Sequence, residues 1–229
     1  MSVKNGKDYI YLIWKSDLTR RQYIVGQLSK NGQYEFQYYG EFKEAQEAGF
    51  TLLILFSSTE KVYQSKELFS VFKSRLPDRK RKDIDKILNK YGLESYDSYE
   101  LLKRSGARLP IDNLQFIDPI MDIESAFERK FYVAGVRHYV GCEGEDCNKS
   151  ADVTLGEKVF FEREQTNIHD RNAVKVIRKN GEIIGYVPRF YSEAFSRMII
   201  EGRNINCVIA DIDKNKCCSE CIMLAVSVE

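Results

Sequence analysis

From residue 9 to residue 56 the apolar positions fall in short runs separated by polar pairs, a pattern of strands rather than helices. The spacing predicts strands over 9–14, 21–28 and 34–39. Between the last two lies Lys30-Asn31-Gly32, and because Asn and Gly both tolerate positive φ, a tight hairpin is predicted there. A short helix is predicted over 41–47, ended by Gly49, and the nearly continuous apolar run 51–56 predicts a buried strand. The period then changes. Leu68, Phe69, Phe72 and Leu76 recur at intervals of three and four, predicting a helix stopped by Pro77. Further helices are predicted over 83–90 and 98–104, closed by Gly92 and Gly106. Residues 109–125 carry Pro110 and Pro119 with little periodicity, which predicts a linker or domain boundary.

After Phe127 the β pattern returns. Strands are predicted over 130–139, 158–164, 173–177 and 182–186, the last two joined by Asn180-Gly181 as a hairpin. An amphipathic helix follows over 190–200, ended by Gly202, then strands over 205–211 and 222–228. Six short strands and one helix suggest a small Greek-key or OB-like barrel. The expected class is α+β, with a small α/β domain over 1–118 and an OB-like β-barrel with one helix over 119–229.

Composition narrows the function. Of 229 residues, 43% are hydrophobic and 30% charged, which suits a soluble globular chain. There is no apolar run of about 18 residues to cross a membrane. Residues 1–8 are polar, so no signal peptide is expected, and the six cysteines then point to a reduced, cytoplasmic setting. The net charge of +1 is unevenly spread. Residues 1–118 hold 20 Lys and Arg against 16 Asp and Glu, whereas 119–229 hold 15 against 18. Such a balance argues against coating nucleic acid by bulk electrostatics. Two histidines, His138 and His169, are too few for His-rich metalloenzymes. No Gly-rich phosphate loop or P-loop is present, so phosphotransfer is not expected. The chain is read as a binding protein, not an enzyme.

Three motifs could carry binding chemistry. In Gly135-Val136-Arg137-His138-Tyr139, Arg137 offers a fork of donors for phosphate, while His138 and Tyr139 offer flat faces for a base. The same residues also suit an ordinary exposed strand end. In Asn167-Ile168-His169-Asp170-Arg171-Asn172, the density of Asn and Asp makes a turn, a role that alone would explain Asp170. A His-Asp pair also occurs in metal phosphohydrolases, but those need several further ligands that this chain lacks. In Gly185-Tyr186-Val187-Pro188-Arg189, Tyr186 can stack or donate, and Arg189 lies at the first turn of a helix, where phosphate is favoured. This string also suits a plain strand-to-helix turn.

Taken together, the order and spacing of the motifs resemble the HIRAN domain. The resemblance runs through 131–139, Leu155-Gly156, 161–164, 167–174 and 184–189, and covers residues 128–203 best. It implies an OB-like fold and a site that, in eukaryotic fork-remodelling ATPases, captures the 3′-hydroxyl end of single-stranded DNA. Carried over by position, Arg137 would contact backbone phosphate. His138 and His169 stand where that group has aromatic residues for stacking. Asp170 would accept a hydrogen bond from the terminal 3′-hydroxyl, Tyr186 would flank the terminal nucleotide, and Arg189 would lie near phosphate. An acceptor carboxylate favours a free hydroxyl and disfavours a terminal phosphate through repulsion and lost bonding. The loop 214–220 has no aromatic residue where the eukaryotic domain has one that packs on a base.

The other half resembles the small N-terminal subdomain of HipA-type kinases. The resemblance rests on 23–28, 34–38, 63–69, 72–77 and 91–93, and the kinase core is absent. It implies a role in contacting a protein partner. Within this half, Lys73, Arg75, Arg79, Lys80, Arg81, Lys82, Lys86 and Lys90 stand against Asp78, Asp83 and Asp85. Arg79, Lys80, Arg81 and Lys82 could form an auxiliary basic surface tracking a DNA backbone, or simply a solvated helix face. Cys142 and Cys147 share one loop, and Cys218-x-x-Cys221 lies in the last hairpin. These four could hold a structural zinc if the loops meet, or stand as separate reduced thiols. Cys207 reads as a small core residue. The leading expectation is recognition of single-stranded DNA 3′ ends in a repair, replication or defence assembly. The rival is a module docking a HipA-type kinase or another protein without DNA.

Overall fold

A computed structural model describes residues 8–140, 153–213 and 220–229. The chain divides into two compact units, Met1–Pro119 and Ile120–Glu229.

The first unit is built on a five-stranded sheet. Its elements are β1 (Tyr9–Lys15), β2 (Gln22–Asn31), β3 (Gln33–Tyr38), α1 (Phe42–Glu47), β4 (Tyr63–Ser65), α2 (Ser70–Lys73), α3 (Ile84–Lys90), α4 (Ser98–Ser105) and β5 (Leu114–Ile117). The strand order is β4-β3-β2-β1-β5. Gly32, at φ +80°, turns the β2–β3 hairpin directly after Asn31, which itself keeps a negative φ. Along β3, Tyr34, Phe36 and Tyr38 alternate inward, and Phe36 meets Phe56 and Phe72 at ring distances of 4.2 and 5.2 Å. Asp97 caps α4 by accepting from the amides of Tyr99 and Glu100, and Gly106 ends it in the left-handed region.

Four expectations for this unit are corrected. Residues 51–56 form no strand; Ile54 is fully exposed while Phe56 is buried. The Tyr38 hydroxyl donates to the Phe56 carbonyl and accepts from the Leu53 amide, so this segment is satisfied by a side chain instead of a ladder. The helix expected to end before Pro77 is the four-residue α2, preceded by the extended strand β4. The division between the two units falls inside 109–125 as expected, but that stretch also contains β5, which pairs with β1; a four-residue strand is too short to show a period. Arg75, counted among the surface cations, is buried. Its guanidinium holds Asp112 with two nitrogens, and it also donates to the Ala107 and Leu114 carbonyls.

The second unit contains β6 (Phe127–Tyr132), a 3-10 turn (Val136–His138), β7 (Val159–Arg163), β8 (Val174–Arg178), β9 (Ile183–Tyr186), α5 (Arg189–Ile200), β10 (Ile205–Ile212) and β11 (Ile222–Val228). Its strands form two three-stranded antiparallel sheets, β10-β11-β6 and β7-β8-β9. Phe195 of α5 is fully buried and reaches both sheets, lying 5.5 Å from the Phe131 ring and 4.9 Å from that of Phe161. The expected continuous barrel is not observed. The sheet edges meet at two single bridges, Ala134 with Tyr186 and Lys158 with Val208, so a corner replaces a ladder at each junction. The first strand is also shorter than the predicted 130–139, because Gly135 turns into the left-handed region at φ +72° and starts the 3-10 turn.

Candidate functional site

Two of the three motifs meet at the first corner. Ala134 and Tyr186 exchange backbone hydrogen bonds of 2.8 Å in both directions. This close approach requires Gly185: at φ +149°, a Cβ there would lie 2.4 Å from the Ala134 carbonyl oxygen. The 3-10 turn then carries Arg137 and His138, both exposed, away from the corner. Arg137 makes no hydrogen bond or ion pair among the described residues. Tyr139 folds back over Tyr186. Their rings stand edge to face at 5.7 Å and their hydroxyls are 3.1 Å apart.

The third motif is tied to this pair through Glu164, just after β7. Its Oε2 accepts from the Tyr186 hydroxyl at 2.9 Å and from Asn167 Nδ2 at 2.6 Å, and its Oε1 meets Lys175 Nζ at 3.0 Å. Because the Tyr186 proton points to Glu164, Tyr139 is the donor in the hydroxyl pair. Asn167 Oδ1 in turn accepts from the amides of His169 and Asp170, and Asp170 Oδ1 accepts from the amide of Asn172. The 167–172 turn is therefore held by its own Asn and Asp side chains. Ile168 at its tip is 91% exposed. His169 is exposed and Asp170 half-buried.

The charges here are mutually supporting. Hydrogen bonds from Asn167 and Lys175 hold the Glu164 carboxyl below its ordinary range. Glu164 holds the Lys175 ammonium above its ordinary value. Burial, reinforced by Tyr139 and Glu164, pushes the Tyr186 hydroxyl up, so it stays a neutral donor. The result is a preorganised patch of donors, aromatic rings and two half-buried carboxylates, Glu164 and Asp170, able to meet a polar ligand end.

Among the expected residues, Arg137, His138, Tyr139, His169, Asp170 and Tyr186 lie on the corner, its 3-10 turn or the pinned turn. Arg189 begins α5 behind the Pro188 cap, three residues from Tyr186. Glu164, Asn167 and Lys175 were not singled out as site residues. A trace was available for Lys175, which lies opposite Glu162 in the β7–β8 register as a cross-strand charge pair. Glu164 lies in the 161–164 string of the resemblance, but its role was hidden because Lys175 and Tyr186 reach it from other strands. A depression of about 400 Å³ over β6, β10 and β11 is lined by none of the expected residues.

The auxiliary basic residues lie in the first unit. Arg79 stacks over Tyr96 at 5.0 Å, Arg81 is forked onto Asp83, and all four side chains of 79–82 are exposed. Cys142, Cys147 and Cys218 lie outside the described residues. Cys221 is buried next to β11, where its carbonyl accepts from the Asp213 amide. Among the described residues no three His, Cys, Asp or Glu side chains gather to hold a metal. Cys207 is a buried residue of β10, and burial pushes its thiol up to about 12.

Fold and site thus define a two-unit chain with an α/β unit before a two-sheet β unit. Residues 127–225 match the family described as the HIRAN domain, and residues 18–110 match the family described as the HipA N-terminal domain. The chain therefore carries a HipA N-terminal domain followed by a HIRAN domain. The Fanconi-associated nuclease 1 homolog of Arabidopsis thaliana is 40% identical over 48 residues, 21% of this chain and 5% of that protein. This chain thus spans a small fraction of that relative. The HIRAN domain of human HLTF is 22% identical, with the match covering 44% of this chain and 74% of that one at a TM-score of 0.35. A Lactobacillus plantarum protein is 20% identical, covering 46% and 98%, again at 0.35.

Proposed function

We propose that the chain is a non-catalytic DNA-binding protein whose HIRAN domain recognises single-stranded 3′-hydroxyl ends. The observation that carries this reading is the meeting of the three motifs around Tyr186 and Glu164, with Asp170 held on a pinned turn. In this reading Arg137 and Arg189 take backbone phosphates, and His138, Tyr139 and His169 offer faces to the last bases. Asp170, whose Oδ1 is engaged by Asn172, accepts from the terminal hydroxyl through its remaining capacity. The finer description of the domain as OB-like belongs to the same proposal. So does the division at residues 118 and 119 and the cytoplasmic setting; among the described residues no helix is long and apolar enough to cross a membrane.

The nuclease named among the relatives favours a repair setting, with any catalysis supplied by another chain. In the HipA N-terminal domain, exposed Ile54, Leu55 and Val62 favour docking of a protein partner. Lys80 and Lys82 would add at most a weak, salt-sensitive contribution to DNA affinity.

Fluorescence anisotropy tests the reading with three probes: a strand with a free 3′-hydroxyl, the same strand with a 3′-phosphate, and a closed circle. The free hydroxyl should bind at least about tenfold more tightly, the scale of one charge-assisted hydrogen bond. Asp170→Ala should erase that preference. Equal binding to all three by the wild type would sink end recognition and leave the partner-docking reading.

A further inference from the structure

Among the described residues, the side-chain hydrogen bonds that join the tyrosine corner to the 167–172 turn pass through one carboxylate. Glu164 receives Tyr186 from the third motif, Asn167 from the second, and through Tyr186 it fixes Tyr139 of the first. Lys175 on β8 neutralises it from the other oxygen. Because Asn167 Nδ2 must face this carboxylate, its Oδ1 is left facing the His169 and Asp170 amides. Backbone bonds hold the ends of the turn, and the orientation of the Asn167 amide within it follows from a charge that sits outside it. We propose that Glu164 is the positioning residue of the end-reading site: it locks Tyr186 and the His169–Asp170 turn into one arrangement, so that preference for a free 3′-hydroxyl depends on a side chain that need not touch the DNA.

This inference rests on the reading above. The chemistry explains why an isosteric amide cannot substitute. A carboxylate only accepts, whereas Gln presents an acceptor on one side and an NH₂ donor on the other. If the donor side faces Asn167, that amide must flip and set its own NH₂ against the His169 and Asp170 amides. If the donor side faces Lys175, the ion pair is lost and two cationic or donor groups confront each other. Both arrangements loosen the turn without changing its volume.

The test compares wild type with Glu164→Gln in two measurements. The first is the ratio of affinities for strands ending in a 3′-hydroxyl and a 3′-phosphate. The second is amide hydrogen exchange at His169 and Asp170. The ratio should fall about tenfold, and both amides should exchange about tenfold faster, while the thermal midpoint stays close to wild type. A wild-type protein with no preference overturns the end-reading proposal and this inference with it. A preference retained in Glu164→Gln, or unchanged exchange at both amides, overturns this inference alone. Should Glu164→Gln fail to fold, Tyr186→Phe removes only the hydroxyl joining Glu164 to the corner, and a retained preference there counts equally against it.

Discussion

Replacing Arg75 shows what a single residue can contribute in the first unit. Its guanidinium is 5% exposed and satisfies Asp112 and two carbonyls at once. Arg75→Met would leave the carboxylate and both carbonyls without that partner. Breaking such a pair from one side costs about 3 kcal/mol. A denaturant titration followed by Trp14, the chain's single tryptophan, in β1, should show this loss. A midpoint matching wild type would show that the pair is structurally idle. From sequence, Arg75 looked like one cation in a basic run, because spacing reveals helix faces but not which face meets the core. Asp170 behaves differently. Its turn-forming role was legible from Asn and Asp density, and the structure adds that Asn167 donates to Glu164 while accepting from the His169 and Asp170 amides.

Elements were most legible where turn chemistry is strict. The Asn31-Gly32 and Asn180-Gly181 hairpins form where expected, and in each the glycine alone takes the positive φ that the turn needs. The long apolar face of α5 was equally plain in its spacing. The corner between β6 and β9 was not. It depends on Gly185 bringing the Tyr186 strand against Ala134, and nothing local distinguishes this glycine from one in an ordinary turn. Gly185→Ala would place a Cβ 2.4 Å from a backbone oxygen at a left-handed φ. Destabilisation of about 2 kcal/mol is expected from the strain, together with loss of the Tyr139–Tyr186 contact. Circular dichroism melting and the chemical shifts of both tyrosines would read this out. A variant of wild-type stability with unshifted tyrosines would remove the corner's importance.

Across the molecule, acid should weaken both units through the same kind of pair. In the first unit burial alone would raise the Asp112 carboxyl, but Arg75 and the Leu114 amide hold it below its ordinary value. In the second, Arg178 lowers Glu157, and Asn167 and Lys175 lower Glu164. A folded pKa below the unfolded one contributes stability above the unfolded value, near pH 4 for such groups, and that contribution is lost as pH falls through the folded value. Urea midpoints should therefore hardly change from these groups between pH 7 and about pH 5, then fall below about pH 4. An equal midpoint at pH 3 and pH 7 would contradict the assignment. What the sequence by itself determined was the helical and β character of most segments, both hairpins, and the motif order that resembles two known domains. Those depend on short-range dihedral preference and on residue type, which a linear chain displays directly. Only the tertiary structure decided that 51–56 is a loop satisfied by Tyr38, that Arg75 is internal, and that the six strands of the second unit form two sheets meeting at single bridges. It also decided that Glu164 joins three motifs, because hydrogen-bond partners far apart in sequence become neighbours only after the backbone has turned its corners.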